Sequence, residues 1–511
     1  MKKRRKLRKH LISNIISIIM LVSSVLLTIQ LARLDVLPFA YFIIIAVIFI
    51  LITLIVFFFH IKKKKHIFTQ ILSTVLVVAL FFSSAFGNYV VAKVPDMFDK
   101  LTSLTDISEE NISIYVMKGK KAKNIQDLDR SILGTMENID PVGTRELLKS
   151  LKKDKINMQT KDYESILEMV QALYDGKVSS IALNANFLEL LNEYPAFQNF
   201  ENDTRRVYAL EFTKGQALEM EQEIDYSTLI PEPFTVFISG NDQEGELSKG
   251  AIDESLRSDA NILLTFNPKT GTILMTSVPR DYYLEIAADG YAGAYDKLTH
   301  TGLLGVGTTA KTIENALGID IDYVVRVNFS SMIQLVDAMG GIDIMVSEQI
   351  AEEAKGVVPE SGTDLSEIHA GKCHLNGRQA LDFSRERYCF TDGDVQRVRN
   401  QQTVMKAIID KAMKPSTMLR YGKILDTIGD VVRTNMPSKL MKHLIRYVVV
   451  SRPSFEFEKY VLLGDCDMRF CTQLGADASV VIPYAPSMET ARLKIEAVME
   501  GKSSETIEPL Y

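Results

Sequence analysis

The feature that most constrains this chain lies in its first ninety residues. Three apolar runs follow one another: Leu11 to about Leu34, Leu37 to Phe59, and Ile67 to about Val91. Each reaches the roughly 20 residues a helix needs to cross a bilayer. A cleaved leader would stop after one shorter run with small residues at the cut site, so three in succession read as permanent anchoring. A buried hairpin of a soluble protein does not account for turns that alternate between basic and non-basic. The basic run MKKRRKLRKH precedes the first helix, RLDVLP joins the first to the second, and KKKK, Lys62 to Lys65, joins the second to the third. The excess of Lys and Arg on cytoplasmic turns then puts the N-terminus and the KKKK turn inside the cell. Everything after about Val91 is expected outside, as part of a multi-pass cell-membrane protein.

The chain has 511 residues, enough for two or three domains, and a formal net charge of -6. That balance does not suggest a nucleic-acid binder. With 4 cysteines the chain is no disulfide scaffold, and one pair or none is expected. Cys466 and Cys471 lie close together, so either a bridge or two free thiols fits; Cys373 and Cys389 bracket the arginine-rich segment discussed below.

Residues 1–97 form the basic tail and the three membrane helices. Residues 98–228 have the apolar and charged mixture of an ordinary globular unit. NISIYVM alternates as a strand does and RRVYALEF reads as another. TRELLKSLKKD and DYESILEMVQALYDG carry helical apolar spacing, the second ending on Gly176 as a C-cap. This predicts a small α/β accessory domain. Pro231 and Pro233 mark the next boundary, and residues 229–511 form the main domain. There FTVFISG, ANILLTF, GTILMTSV, YVVRVNF and IDIMV read as strands, interleaved with the helices TTAKTIENALG and SMIQLVDAMGG. That alternation argues for an α/β sheet with helices on its faces. A long helix is expected over about Gln396 to Lys414, and LRYGKILDTIGDVV, SKLMKHLIRYVV and SMETARLKIEAVME give the end of the chain a helical character.

One stretch stands apart: DFSRERYCFTDGDVQRVRNQQ, Asp382 to Gln402. It carries Arg385, Arg387, Arg397 and Arg399 with Asp392 and Asp394 and has no Lys. Arginine grips phosphate with a planar, two-pronged fork, so the segment suggests an anion site. If a helix begins near Asp394, then Asp394, Arg397 and Gln401 share one face. Arg385 and Arg387, two apart on an extended strand, would point the same way. Four further stretches put polar groups where predicted strands end, the usual location of ligands in open α/β sheets: Asp242 in FISGND, Arg257 and Asp259 in RSDANILL, Arg280 and Asp281 in SVPRDYY, and Lys297 and His300 in YDKLTH. Each has an ordinary reading, as a turn or cap residue, a surface ion pair, or a bystander histidine. Together they hold the ingredients of phosphate chemistry. Carboxylates such as Asp242 and Asp259 can hold Mg²⁺, and guanidinium groups can neutralise charge that builds on phosphate.

At these residues the chain resembles the LytR-CpsA-Psr family. RSDANILLTFNPKTG, VPRDYY, DKLTH, GGIDI, HLNGRQALDFSRER and DGDVQRVRNQQ occur in the family's order over about 230 to 415. Three membrane helices followed by an extra domain resemble its capsule-type branch. The resemblance implies a central mixed sheet flanked by helices, and an extracytoplasmic transferase. Such an enzyme moves a glycan from a polyprenyl-pyrophosphate carrier to a peptidoglycan hydroxyl through a phosphodiester, with capsular polysaccharide as cargo and Mg²⁺ or Mn²⁺ as cofactor. Carried over residue by residue, Asp242 and Asp259 resemble the metal-associated carboxylates. Arg257, Arg280, Lys297, Arg385, Arg387, Arg397 and Gln401 resemble the pyrophosphate grip, and Asp281 and Asp394 the acidic positions that orient those arginines. Arg280, Asp281, Arg385, Arg387 and Asp394 are the expected catalytic set. The expected partners are the lipid-linked glycan, peptidoglycan, the membrane and other capsule-assembly proteins, with no nucleic acid. Asn241 and the long loop from Gln243 to Leu256 depart from the family pattern, which bears on the spacing of Asp242 and Asp259. A hydrolase of the same donor and a non-catalytic membrane regulator of capsule expression are the rival readings.

Overall fold

The computed structural model describes residues 2–34, 39–62, 67–102, 108–192, 194–214, 230–241, 256–288, 291–357, 363–414, 417 and 420–510. In hydrocarbon every backbone polar group must be satisfied within its own segment, and the helix does this for a single run. The apolar runs accordingly form α1 (Lys2–Leu34), α2 (Phe39–Ile61) and α3 (Ile67–Leu101), whose membrane-length stretches are Asn14–Leu34, Phe42–Ile61 and Ile67–Leu101. Helix α1 takes in the basic run, which lies ahead of the apolar stretch. Small and polar residues hold α1 to α3: Ser84 donates to Ser23 Oγ at 2.9 Å, and Asn88 Nδ2 donates to the Ser23 carbonyl at 2.8 Å.

Helix α3 does not stop near Val91, as the hydropathy suggested, but continues to Leu101. Its last turns stay helical because they have something to pack on. Met97, Phe98 and Leu101 are buried against Leu425, Ile428, Val432, Met441 and Ile445 of the main domain. Lys93 and Lys100 pair with Asp426 and Asp430 at 2.9 and 2.6 Å.

The next unit is a five-stranded sheet in the order β3-β2-β4-β1-β5, from β1 (Ser108–Met117), β2 (Ile132–Thr135), β3 (Gln159–Asp162), β4 (Ser180–Asn184) and β5 (Thr204–Lys214). Alternation along β1 decides its two faces. Ile112, Ile114 and Val116 point into one core with Leu147 and Leu151 of α4 (Pro141–Lys153). Tyr115 points into the other with Ile166, Met169 and Val170 of α5 (Ile166–Tyr174). Gly176, with φ +70°, follows α5 in the left-handed conformation that ends helices. Two short helices, α6 (Leu188–Asn192) and α7 (Phe200–Asp203), lead into β5.

The main unit is a six-stranded mixed sheet in the order β14-β11-β6-β7-β8-β15. Its first strands are β6 (Phe234–Asn241), β7 (Ala260–Asn267) and β8 (Thr272–Val278), successively antiparallel. A small pair, β9 (Tyr283–Glu285) and β10 (Tyr295–Lys297), precedes α8 (Leu298–Thr301) and α9 (Val306–Leu317). Strand β11 (Tyr323–Asn328) returns parallel to β6 and runs into α10 (Phe329–Met339). The hairpin of β12 (Ile342–Val346) and β13 (Gly371–Leu375) flanks α11 (Glu348–Ala354), and α12 (Gly377–Arg385) and α13 (Gly393–Ala412) follow. Then come α14 (Tyr421–Val431), β14 (Val432–Thr434), α15 (Ser438–Ser451), β15 (Glu456–Val461), the hairpin β16 (Gly464–Cys471) and β17 (Ala476–Pro483), and α16 (Ala485–Met499).

Both faces of the six-stranded sheet are covered, so its central strands read as nearly unbroken apolar runs. One face packs Phe237, Leu263 and Leu274 against Ile313 of α9 and Ile495 of α16. The other packs Val236, Ile238 and Ile262 with Leu440 and Tyr447 of α15. The end of the chain is less helical than its sequence suggests. It supplies both edge strands, β14 and β15, and a hairpin whose Cys471, Leu474 and Val480 complete the accessory unit's core beside Ile181 and Leu183. All four cysteines are free thiols, which removes the Cys466–Cys471 bridge.

Candidate active site

The polar residues gather at one end of the six-stranded sheet. Asp259 immediately precedes β7, and its amide donates to the Gly240 carbonyl at 2.8 Å. The β6–β7 register ends on Gly240↔Ala260, so Asn241 falls one step further, opposite Asp259. Asn241 is buried and ends β6; Asp242, expected as a metal carboxylate, lies outside the described residues, as does the loop from Gln243 to residue 255.

Arg280 follows β8. Its Nη1 donates to Asp259 Oδ1 at 2.8 Å, and its Nε lies 3.6 Å from Asp281 Oδ2. Asp281 Oδ1 is also 3.6 Å from Lys297 Nζ. The Lys297–Asp281–Arg280–Asp259 chain thus ties three strand ends together. Burial works against the charge of Arg280, but Asp281 and Asp259 outweigh it and raise its pKa above the ordinary guanidinium value.

The second half comes from the arginine segment. Gln402, buried, donates from Nε2 to the Met275 and Tyr460 carbonyls at 3.1 and 2.9 Å, and Asn400 Nδ2 donates to the Phe383 carbonyl at 3.1 Å. These bonds pin α13 to β8, β15 and α12. Asp394, in the first turn of α13, sits where a negative charge suits the helix N-terminus. Its Oδ1 takes Arg397 Nη1 at 3.1 Å, as the helical spacing predicts, and Arg387 Nη1 at 3.4 Å from outside the helix. Arg399 faces elsewhere and pairs with Asp392.

Arg385 and Arg387 do not lie on a strand. Arg385 is the last residue of α12, and Glu386 at its cap is already extended (φ -65°, ψ 135°). The chain therefore turns between the two arginines, yet both reach one cavity of about 260 Å³. Its walls are Asp259, Arg280, Arg385, Arg387, Tyr388, Arg397 and Gln401. Arg257 and Lys297 do not line it. Arg257 is half-buried two residues before Asp259, and Lys297 acts through Asp281. His300 is fully buried, with Nδ1 2.7 Å from Asp296 Oδ1, and has a structural place behind Lys297.

Four guanidinium groups around one small cavity repel one another. Arg397 shows the effect: burial, together with Arg280 and Arg387, draws its pKa below the ordinary guanidinium value despite Asp394. A bound polyanion would relieve that repulsion. Gln401 also lines a second cavity of about 220 Å³, walled by Ile238, Ile262, Val325, Val327, Met405 and Ile408 among others. The cationic cup and this apolar cavity, between the sheet and α10 and α13, therefore meet at one residue.

Two residues here had no assigned role in the sequence. Tyr388 is 83% exposed; its ring lies 4.7 Å under the Arg387 guanidinium, and its hydroxyl accepts from Arg387 Nη2 at 2.7 Å. Arg326 is 0% exposed, and its Nη2 donates to the Leu256 carbonyl at 2.9 Å, next to Arg257. The one charged residue in the strand YVVRVNF was the available signal for it.

Fold and cup together define an α/β protein with a cavity ringed by four arginines, carried on three helices suited to membrane anchoring. Comparison with known proteins agrees with that class. The LytR_cpsA_psr family model matches residues 205–453. The polyisoprenyl-teichoic acid–peptidoglycan teichoic acid transferase TagT of Bacillus subtilis is 34% identical over 251 residues, covering 48% of this chain and 72% of that protein. TagU of Bacillus cereus, another such transferase, is 33% identical over 211 residues, covering 41% and 62%. The crystal structure of B. subtilis TagT aligns with a TM-score of 0.41 at 26% identity, over 56% of this chain and 97% of that one. A DNA polymerase processivity factor model matches residues 62–183, a stretch that starts with a membrane helix and leaves β5 out of its sheet, so it follows no structural unit. The chain belongs to the LytR-CpsA-Psr family.

Proposed function

We propose that this protein is an extracytoplasmic phosphotransferase that moves a glycan from a polyprenyl-pyrophosphate carrier to a peptidoglycan hydroxyl. The observation that carries this reading is the meeting of cup and apolar cavity at Gln401: one suits a pyrophosphate, the other the start of a prenyl chain. The curated relatives TagT and TagU are named as transferases of polyisoprenyl-linked teichoic acid to peptidoglycan, which supports the reaction class. For the cargo we propose capsular polysaccharide, on the resemblance of the three-helix and accessory-domain arrangement to the capsule-type branch. The basic run before the first span and the KKKK turn support a cytoplasmic N-terminus and an outer main domain.

In the reaction, the acceptor hydroxyl attacks the phosphorus attached to the sugar. A new P–O bond forms, the bond to the polyprenyl phosphate breaks, and polyprenyl phosphate leaves with the electron pair and takes up the proton that the hydroxyl gives up. Arg280, Arg385, Arg387 and Arg397 hold the two phosphates and neutralise the charge building on them, each contributing on the order of 2–4 kcal/mol. Asp281 and Asp394, each between two cations, orient them. Arg257 and Lys297 extend the positive field, and Gln401 marks where phosphate ends and lipid begins. Asp259 Oδ2 takes no hydrogen bond from the described residues, so it fits as an oxygen ligand for Mg²⁺ or Mn²⁺, with Asp242 as its partner. Bound there, the metal would add to the neutralisation of the pyrophosphate.

The test is to incubate the full chain in detergent with a labelled polyprenyl-pyrophosphate oligosaccharide, Mg²⁺ and peptidoglycan fragments, and to identify the linkage formed. A phosphodiester to peptidoglycan supports the proposal. Release of free glycan phosphate at equal rates with and without acceptor would identify a hydrolase. Binding without turnover would point to a regulator.

A further inference from the structure

A third cavity lies where the membrane helices meet the main domain. It has a volume of about 300 Å³ and lies between the ends of α1 and α3 and the start of α15. Val94 and Phe98 of α3 give it an apolar wall. Arg33, in the last turn of α1, and Lys442, on α15, bring two cations to it. The two lysines of α3 at this junction are matched, Lys93 with Asp426 and Lys100 with Asp430. Arg33 and Lys442 have no ion pair among the described residues; Lys442 lies over the Phe98 ring at 5.8 Å. Asp99 also borders the cavity, which leaves one net positive charge.

Position decides what such a cavity meets. Arg33 is one residue from the end of the Asn14–Leu34 span, so the cavity opens at the depth of the lipid headgroups. Cations there attract anionic lipid at about 1 kcal/mol each, and an apolar wall beside them accepts the first carbons of an acyl chain. We propose that this cavity binds the phosphate headgroup of an anionic bilayer phospholipid, which bridges Arg33 of a membrane helix to Lys442 of the main domain. The lipid is structural and distinct from the donor, whose pyrophosphate belongs in the arginine cup. The proposal does not depend on the transferase reading.

The experiment uses the full chain purified in mild detergent and exposed to mixed micelles of phosphatidylglycerol, phosphatidylcholine or polyprenyl phosphate, with retained lipid measured by native mass spectrometry. Wild type should retain phosphatidylglycerol over phosphatidylcholine. The double variant R33Q/K442Q should bind phosphatidylglycerol about thirtyfold more weakly, since each lost charge is a factor of about five. R33K/K442R should retain it, and K311Q on α9 should match wild type. Equal retention of phosphatidylglycerol by wild type and R33Q/K442Q would overturn the proposal. So would its loss from both double variants with unchanged circular dichroism, or preferential capture of polyprenyl phosphate through the same two residues.

Discussion

At the residue scale the cup separates arginines that look alike in the sequence. Arg280 is half-buried, bonded to Asp259 and exposed to the field of Asp281 and Asp394. Arg399, in the same basic stretch as Arg397, turns outward to Asp392. Arg280→Ala should therefore lower glycan transfer roughly a hundredfold or more, while Arg399→Ala should leave it unchanged. Initial rates with a labelled lipid-linked donor decide this; equal effects of the two would dissolve the distinction the geometry draws. The sequence placed Asp394, Arg397 and Gln401 on one face because helical spacing is a local property. It misplaced Arg385 on a strand because nothing local shows that α12 ends one residue before the backbone extends.

At the scale of elements, close approach of backbones positions the site. A Cβ on Gly302, after α8, would lie 2.4 Å from the Leu256 carbonyl and 2.9 Å from the Ser258 amide. Gly302 has an ordinary helical φ of -63°, so space and not conformation demands glycine here. Gly302→Ala should push the segment carrying Arg257 and Asp259 off its place and reduce transfer, with no charged group removed. Full activity in G302A would show that the segment tolerates displacement. The β12–β13 hairpin offers a second test. Asp343 accepts from His374 at 2.8 Å and lies 3.3 Å from Lys372. The His374 bond, then Lys372, outweigh burial and hold its carboxyl at about 2, below the ordinary 3.8. A depressed folded-state pKa contributes stability above the unfolded value and loses it as pH falls. Asp343→Asn should therefore be less stable than wild type at pH 7, and the gap should close between about pH 4 and pH 2, read by denaturant unfolding. A constant gap would remove Asp343 from the account. The strands IDIMV and FTVFISG were legible because their patterns are self-contained. Strands β14 and β15 were not, because a three-residue strand such as VRT exists only through its partner β11.

For the whole molecule, the sequence showed an anchor, an accessory unit and a main unit in series, but not that they share interior. Cys471, Leu474 and Val480, from the end of the chain, are buried in the core that also holds Ile166, Met169 and Leu183. Such long-range burial leaves no local pattern to read. Deleting residues 108–214 should expose these three side chains and lower the midpoint of thermal unfolding of the remaining chain by several degrees. An unchanged midpoint would show that the hairpin needs no cover. Helix α3 couples the other boundary. At about 1.5 Å per residue its 35 residues extend roughly 52 Å, against a hydrocarbon thickness of about 30 Å. About 20 Å of rod is left beyond the hydrocarbon, to cross the headgroup layer and carry the main domain seated on it. Under the proposed function, the stand-off and the heading of the arginine cup are then built in, and only acceptors within a thin shell above the lipid come within reach. Each residue inserted into that rod below its seat would swing the domain by about 100° around the membrane normal.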